Sequence, residues 1–157
     1  MYDYLVKNPD QTLHDLCLAL DDLSIKNLEL MEEKIKLTIK LENLTRQGNI
    51  EMAKARYIRG KESIGMLQVP HEDNDMKSVF ELETSYDDQV PNFDISLRTD
   101  AEDPIKWFGV LVPQSLRSAQ KYFREATYAA VELANINGKL LRIMKDQRGL
   151  RDLKKGR

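Results

Sequence analysis

The chain has 157 residues, of which 41% are hydrophobic and 32% are charged, and its net charge is −2. This composition predicts one domain over residues 1–157 with a modest core. No apolar run approaches the roughly 20 residues that span a bilayer, and the first residues lack the basic and apolar regions of a signal peptide. We therefore expect the chain to work in the cytosol or on a cytosolic membrane face, and the single Cys17 agrees with a reducing compartment.

The first predicted element is a helix over residues 9–47 whose leucines repeat every seven residues. One heptad position holds Leu16, Leu23, Leu30, Leu37 and Leu44, and the interleaved position holds Leu13, Leu20, Asn27, Lys34 and Leu41. This spacing predicts an N-terminal coiled-coil helix, and the two polar residues of the second set select a defined mate. Asn8, Pro9 and Gln11 supply an N-terminal cap, and Gly48 supplies a stop.

A second row of apolar residues lies on roughly the opposite face of the same helix. This apolar stripe consists of Leu18, Ile25, Leu28, Ile35 and Ile39. A two-stranded coiled coil leaves the stripe in contact with water, so the pattern indicates at least one further packing partner. Three partners remain open at this point: the chain's own helices, a second protein, or a second copy of the chain.

The next two segments are a predicted short helix with a connector over residues 48–70 and an acidic insert over residues 71–102. The stretch 50–57 is typical of a helix that ends near Gly60. From residue 71 to residue 103 there are eleven acidic residues against two basic ones. Alternating apolar residues at 93–97 favour a small β-hairpin. The high negative charge favours disorder at least as strongly, so we predict a mixed, partly disordered insert.

Residues 103–113 form a predicted corner. Asp103 is typical of a helix cap, Pro104 fits the first helical position, Gly109 ends the single turn, and Pro113 opens the next helix. The corner contains Trp107, the only tryptophan of the chain. A corner with an indole is either buried in the chain's own core or presented to a partner, and both interpretations stay open.

The last predicted elements are a helix over residues 114–150 and a basic tail over residues 151–157. The helix has a seam with spacings of three and four residues, made of Leu116, Ala119, Phe123, Ala126, Ala130, Leu133, Asn137, Leu140 and Met144. Gly138 is expected to weaken or kink it. Two long seams predict a mainly α fold, a long antiparallel helical hairpin or coiled coil with the mixed insert at one end.

The positive charge of the chain is concentrated after residue 138, where eight basic residues stand against two acidic ones. The basic residues recur about every third position and therefore surround the helix instead of covering one face. A solvated helix end is one interpretation, and weak contact with anionic lipid is another. Nucleic acid is not expected as a partner, since no aromatic residues are interleaved.

No constellation of catalytic residues is present in the sequence. His14 and His71 are isolated, no glycine-rich phosphate loop occurs, and Cys17 has no companion for metal binding. We therefore predict a protein that is not an enzyme, with no catalytic residues, no cofactor and no metal.

Two segments together resemble a known family. The first runs Ala53-Lys54-Ala55-Arg56-Tyr57 and continues through Gly60, Ser63, Gly65, Leu67 and Gln68; the second is the Trp-Phe-Gly corner with its Leu-Val-Pro, continued by Ser115-Leu116-Arg117, Ala119-Gln120 and Phe123. Both resemble the small coiled-coil assembly factors of the vacuolar-type proton-pumping ATPase (V-ATPase). The resemblance covers residues 53–68 and 103–143, and the family's middle is variable.

The resemblance implies an assembly chaperone that pairs with a membrane-anchored V-ATPase assembly factor and contacts the pump's membrane-sector subunits. It implies a peripheral location on the cytosolic face of the endoplasmic reticulum (ER), with links to the ER-Golgi intermediate compartment, COPI vesicles, endolysosomal membranes and lysosomal acidification. The partner-binding residues implied are Trp107, Phe108, Gly109, Pro113, Leu116, Gln120, Arg56 and Tyr57. We expect the two segments to meet, with Arg56 and Tyr57 closing the corner.

Two other classes of protein fit the sequence pattern. A prefoldin-like chaperone subunit also pairs its terminal helices antiparallel with small strands between them. A vesicle-tethering coiled-coil adaptor uses a basic tail on anionic lipid.

Overall fold

The computed structural model describes residues 13–70, 77–87 and 90–155. Helix α1 spans Leu13–Arg59, strands β1 and β2 span Phe80–Asp87 and Val90–Leu97, and helix α2 spans Gln114–Lys155. Short 3-10 turns at Lys61–Ser63 and Met66–Gln68 follow α1, and a third at Pro104–Phe108 precedes α2. The predicted cap at residues 8–11 lies outside the described residues.

The two long helices pack antiparallel. At one end Leu16 and Ala19 of α1 are buried against Leu150 of α2, and at the other end Ala55 is buried against Leu116. This arrangement confirms the predicted mainly α fold with two long helices packed together. The coiled-coil character of the pair stays a prediction.

Helix α1 does not stop at Gly48, so the predicted end at residue 47 and the separate short helix within residues 48–70 are wrong. The helix runs without interruption to Arg59. Gly48 is buried, and a Cβ atom added to it would lie 2.9 Å from the ring of Phe123. The glycine is therefore a site of close approach between the helices. The chain leaves the helix at Gly60, whose φ is +88°.

The buried face of α2 differs from the predicted seam at several positions after Ala126. Ala129 and Ile136 are buried, whereas Ala130 and Met144 of the predicted seam are exposed. The difference arises because α2 packs on two sides, against α1 and against the strands. The apolar residues in the sequence of α2 belong to both of these faces, and their spacing alone does not show which residue belongs to which face.

One polar contact lies within the helix seam. Gln147 is buried, and its Nε2 atom is 3.3 Å from Oγ of Ser24. A buried polar pair of this kind favours one register over its neighbours, since a shift leaves a polar atom without a partner. Neither Gln147 nor Ser24 belongs to the leucine heptads or the stripe, so no sequence pattern indicated this pair.

The acidic insert contains an antiparallel β-hairpin, so its described part is ordered and the hairpin alternative is correct. The register pairs Phe80 with Leu97 and Asp87 with Val90. Residues 71–76 and 88–89 lie outside the described part of the chain.

Strand β2 and the ring of Phe80 hold the hairpin on α2. Asn135 accepts a hydrogen bond from the Phe93 N–H and donates one to the Phe93 carbonyl, both at 2.8 Å. Phe80 packs edge-on against Tyr128 with ring centroids 5.7 Å apart. A Cβ atom at Gly138 would lie 3.0 Å from Val90. Helix α2 is continuous through Gly138, and the glycine allows the strand to approach. The weak point or kink expected at Gly138 stays a prediction.

Helix α2 also extends beyond its predicted end at residue 150. It runs to Lys155 and includes most of the predicted basic tail. Basic residues near the carboxyl end of a helix are favoured by the helix dipole.

Candidate functional site

The corner is held by Asp103, which makes contacts in three directions. One carboxylate oxygen, Oδ1, accepts hydrogen bonds from the Ile105 N–H at 3.1 Å and from the side-chain amide of Gln120. The other, Oδ2, lies 3.2 Å from the guanidinium of Arg124. Gly109 closes the turn with a φ of +96°. The structure thus confirms the cap, the proline position and the glycine end of the predicted corner.

Opposing effects act on the pKa of the Asp103 carboxyl. Partial burial raises this pKa, while the hydrogen bonds from Gln120 and Ile105 and the charge of Arg124 lower it. The lowering effects prevail, so the pKa of Asp103 lies below its ordinary value. Asp103 therefore holds the corner as a carboxylate at neutral pH. Arg124 was missed by the sequence analysis, since it lies a whole helical segment away from the residue that it pairs with.

The corner meets α1 as predicted, but through other residues. Phe108 packs against the cluster formed by Ala55, Ile64 and Leu116. Tyr57 is 93% exposed, and Arg56 is also exposed. The expectation that Arg56 and Tyr57 close the corner is therefore wrong. Because α1 continues as a helix to Arg59, only one side of its last turns faces α2, and that side holds Ala55.

The remaining predicted corner residues divide between core and surface. Leu116 is buried, Gly109 is exposed, and Trp107 and Pro113 are half-buried. The structure thus brings Phe108, Leu116 and Gln120 together around the corner. Partner binding by Trp107 and its neighbours stays a prediction.

A small apolar cleft of about 260 Å³ separates the corner from the hairpin. Its walls come from Phe80 of β1, Ile105 and Phe108 of the corner, and Phe123 of α2. Its polar lining residues are Gln120, Arg124 and Thr127. The cleft thus lies where the hairpin, the corner and both helices converge.

The apolar stripe of α1 is not covered by the chain itself. All five of its residues are more than half exposed, from 52% for Ile39 to 65% for Leu28. Among the described residues, the first open alternative, packing within the chain's own helices, is therefore excluded for this stripe. A large exposed apolar surface is typical of a protein-protein interaction site.

Two stripe residues, Ile35 and Ile39, line a groove of about 640 Å³ between the helices. The other lining residues are Asn27, Met31, Lys34, Thr38, Asn137, Leu140, Leu141 and Met144. We call this the interhelix groove. Its lining combines apolar residues of both helices with polar ones, among them Asn27 of α1 and Asn137 of α2. Leu141 was not predicted as a site residue, because it does not belong to the predicted seam of α2. Met144 was predicted as part of that seam.

No group of three or more histidine, cysteine, aspartate or glutamate side chains in residues 13–70, 77–87 and 90–155 is placed to hold a metal ion. No helix in this part of the chain combines the length and the apolar character that crossing a bilayer requires.

The comparisons with known proteins agree on one family. The family model described as Vma22/CCDC115 matches residues 72–126. These residues include the hairpin, the corner and the first part of α2, so the match extends through the insert that the resemblance by motif left out.

Curated relatives match over most of the chain. A mouse (Mus musculus) protein named Vacuolar ATPase assembly protein VMA22 is 30% identical over 86% of this chain and 91% of its own length. A human (Homo sapiens) protein of the same name is 28% identical over 80% and 86%, and a zebrafish (Danio rerio) one is 25% identical over 82% and 86%. Identity at this level over nearly the full length of a relative, together with the family model, is sufficient to conclude that this chain belongs to the Vma22/CCDC115 family.

Proposed function

We propose that this chain is a non-catalytic assembly factor for the V-ATPase. It pairs with a membrane-anchored assembly factor at the cytosolic face of the ER and helps to build the pump's membrane sector, which supports organelle acidification. The names of its relatives support the assembly role over the prefoldin-like and vesicle-tethering alternatives. In the same proposal the protein acts from the ER to the ER-Golgi intermediate compartment, COPI vesicles and endolysosomal membranes.

The apolar stripe together with the interhelix groove is the observation that carries the proposal. Stripe residues recur at spacings of three, four and seven, which is the pattern by which one helix packs on another. The groove adds apolar residues of α2 beside Ile35 and Ile39. We assign this surface to a helix of the membrane-anchored assembly factor. An assembly chaperone needs such a surface, because it acts by holding partners and not by chemistry.

The experiment is a pull-down of tagged protein from a detergent-solubilised ER fraction with identification by mass spectrometry. The test variant is Ile35→Ser combined with Ile39→Ser. The matched control is Leu82→Ser combined with Tyr86→Ser, which removes two exposed apolar side chains from the hairpin. Far-ultraviolet circular dichroism first establishes that each variant is folded.

The wild type and the control are expected to recover a membrane-anchored assembly factor and V-ATPase subunits. The stripe variant is expected to lose them, since two anchors of at least about 1 kcal/mol each correspond to a loss of affinity of about thirtyfold. Equal recovery by the stripe variant and the control contradicts the assigned surface. Recovery of prefoldin-like subunits or coat proteins alone contradicts the assembly role. If the wild type is a dimer and the stripe variant is a monomer, the stripe binds a second copy of the chain instead.

The corner is tested separately with Trp107→Ala in the same assay. Loss of partners by a variant that is still folded indicates that Trp107 belongs to the partner surface. Loss of folding, at a cost of roughly 3 to 5 kcal/mol for a buried aromatic side chain, indicates a core role instead.

A further inference from the structure

Three short segments meet at the end of the helix pair where α1 stops, and each exposes two large apolar side chains. These six tip residues are Tyr57, Ile58, Met66, Leu67, Val110 and Leu111, and their exposed fractions range from 65% to 95%. They lie far from the exposed centre of the apolar stripe. The tip is therefore a second apolar surface, separate from the stripe and the interhelix groove that the proposed function assigns to a partner helix.

The outward position of the tip residues follows from the residues buried beside them. Ala55 and Ile64 are buried in one core cluster with Leu116, and Val112 and Phe108 are partly buried against that cluster. Each of the three segments thus has an anchor within three residues of its exposed pair. The exposed pairs are consequently held outward by packing, and the chain cannot turn them inward without removing an anchor.

The three segments are also close to one another. The position of a Cβ atom on Gly109 would lie 4.0 Å from a guanidinium nitrogen of Arg59, which connects the end of α1 with the loop that holds Val110. Both loops leave their helical turns through glycines of positive φ, Gly60 at +88° and Gly109 at +96°. Such conformations are strained for other residues, so they define the direction in which the loops project.

Basic residues lie close in sequence to the tip residues. The segments 56–68 and 107–117 contain four basic residues against one acidic residue, Glu62. The basic residues are Arg56, Arg59, Lys61 and Arg117, and all four are exposed. None of the ion pairs found among the described residues includes any of these four side chains. Their charge is thus available to an anionic surface.

We propose that the tip docks on an anionic phospholipid bilayer. The aliphatic side chains enter the boundary between headgroups and acyl chains, Tyr57 lies at headgroup level, and the basic residues face lipid phosphates. Projecting loops with exposed aliphatic side chains and a cationic border match this surface in both polarity and charge. The proposal does not depend on the proposed function, because it concerns the isolated chain and lipid. It also differs from lipid contact by the basic tail, which lies at the opposite end of α2.

The test is co-sedimentation of the purified full chain with lipid vesicles. One vesicle is pure phosphatidylcholine, and the other contains phosphatidylserine at about one lipid in three, which supplies the negative surface potential. The variants are Val110→Ser with Leu111→Ser, and Arg56→Gln with Lys61→Gln. The matched control is Lys154→Gln with Lys155→Gln at the far end of α2.

The wild type is expected to bind the phosphatidylserine vesicles in preference to the neutral ones. Binding is expected to weaken as the salt concentration approaches about 1 M, where the Debye length is about 3 Å. Removing two basic tip residues is expected to lower partitioning about 25-fold, roughly fivefold per residue. Removing the two aliphatic side chains is expected to lower it at least about tenfold, while the far-end control changes little.

Several outcomes overturn the proposal. They are an absence of vesicle binding by the wild type, equal binding to neutral vesicles, and loss of binding in the far-end control but not in the tip variants. Circular dichroism of each variant verifies folding. The variant loop at Val110 and Leu111 keeps Val112, which packs against the core cluster, so loss of binding there reports on the surface. The proposal is also overturned if the wild type does not bind vesicles but forms a dimer that the tip variants disrupt. That outcome assigns the tip to a second copy of the chain.

Discussion

Replacing Gly48 with alanine is expected to destabilise the helix pair, although alanine is the better helix former. In the interior of a helix, alanine is favoured over glycine by about 1 kcal/mol. Here, however, the added Cβ would lie 2.9 Å from two ring carbons of Phe123 and 3.1 Å from a third. Overpacking of this kind costs about 1 to 3 kcal/mol. The expected net effect of Gly48→Ala is a loss of about 1 kcal/mol in the free energy of unfolding.

The cause can be isolated in a double-mutant cycle with Phe123→Leu. The leucine side chain lacks the ring atoms that approach Gly48, so in this background the clash is relieved and the helix propensity of alanine prevails. Gly48→Ala is then expected to stabilise the protein by up to about 1 kcal/mol. The coupling between the two positions is expected to be about 1 to 3 kcal/mol, well above the usual error of additivity.

The assay is urea unfolding of the four proteins followed by far-ultraviolet circular dichroism. In thermal unfolding, a change of 1 kcal/mol corresponds to about 2 to 4 °C in Tm for a chain of this size. If Gly48→Ala stabilises the wild type as much as it stabilises the Phe123→Leu variant, the close approach at Gly48 is not the reason for the glycine.

Two further predictions concern the hairpin and the corner. Asn135→Ala removes both side-chain hydrogen bonds to Phe93. It is expected to lower the free energy of local opening of the hairpin by about 1 to 3 kcal/mol and to speed hydrogen exchange of the Phe93 amide. The control is Asn92→Ala, at an exposed position of the same strand, and equal exchange rates in the two variants contradict the contact. The pKa of Asp103 is lowered in the folded chain, so its stabilisation is present above the ordinary value of 3.8 and is lost as the pH falls through the lowered pKa. Asp103→Asn is therefore expected to be less stable than the wild type at neutral pH, and this difference in stability is expected to shrink between about pH 5 and pH 2. The measurement is the urea midpoint of both proteins as a function of pH. A difference in midpoint that does not change with pH refutes the role of the carboxylate.

Local sequence patterns predicted those features whose causes lie within a few residues. The corner follows from Asp103, Pro104 and Gly109, because a cap, a first-turn proline and a terminal glycine act on neighbouring backbone groups. The long helices follow from heptad spacing, because residues seven apart lie on the same helix face. The stripe could be identified from the same spacing, because its residues lie on the face of α1 opposite the heptad leucines, where a two-helix pair leaves them uncovered.

The interpretation of glycines shows where local patterns fail. The predicted stop at Gly48 is wrong, because Gly48 lies within a continuous helix, as does Gly138, which is expected to weaken or kink its helix. A helix interior tolerates glycine at a cost of about 1 kcal/mol when a neighbouring element needs the space. That neighbour is the ring of Phe123 at Gly48 and the strand residue Val90 at Gly138, each distant in sequence.

Heptad spacing, capping and charge distribution thus determine, without reference to any contact, that the chain forms two long amphipathic helices with a capped corner between them. Only the tertiary structure decides which apolar residues the chain covers itself. It buries Ala55 and leaves Tyr57 exposed, pairs Gln147 with Ser24, and orders an acidic segment by docking Phe93 on Asn135. The physical reason is that burial, register and order depend on free energies of contacts between distant segments, and a local pattern does not contain the partner that supplies them.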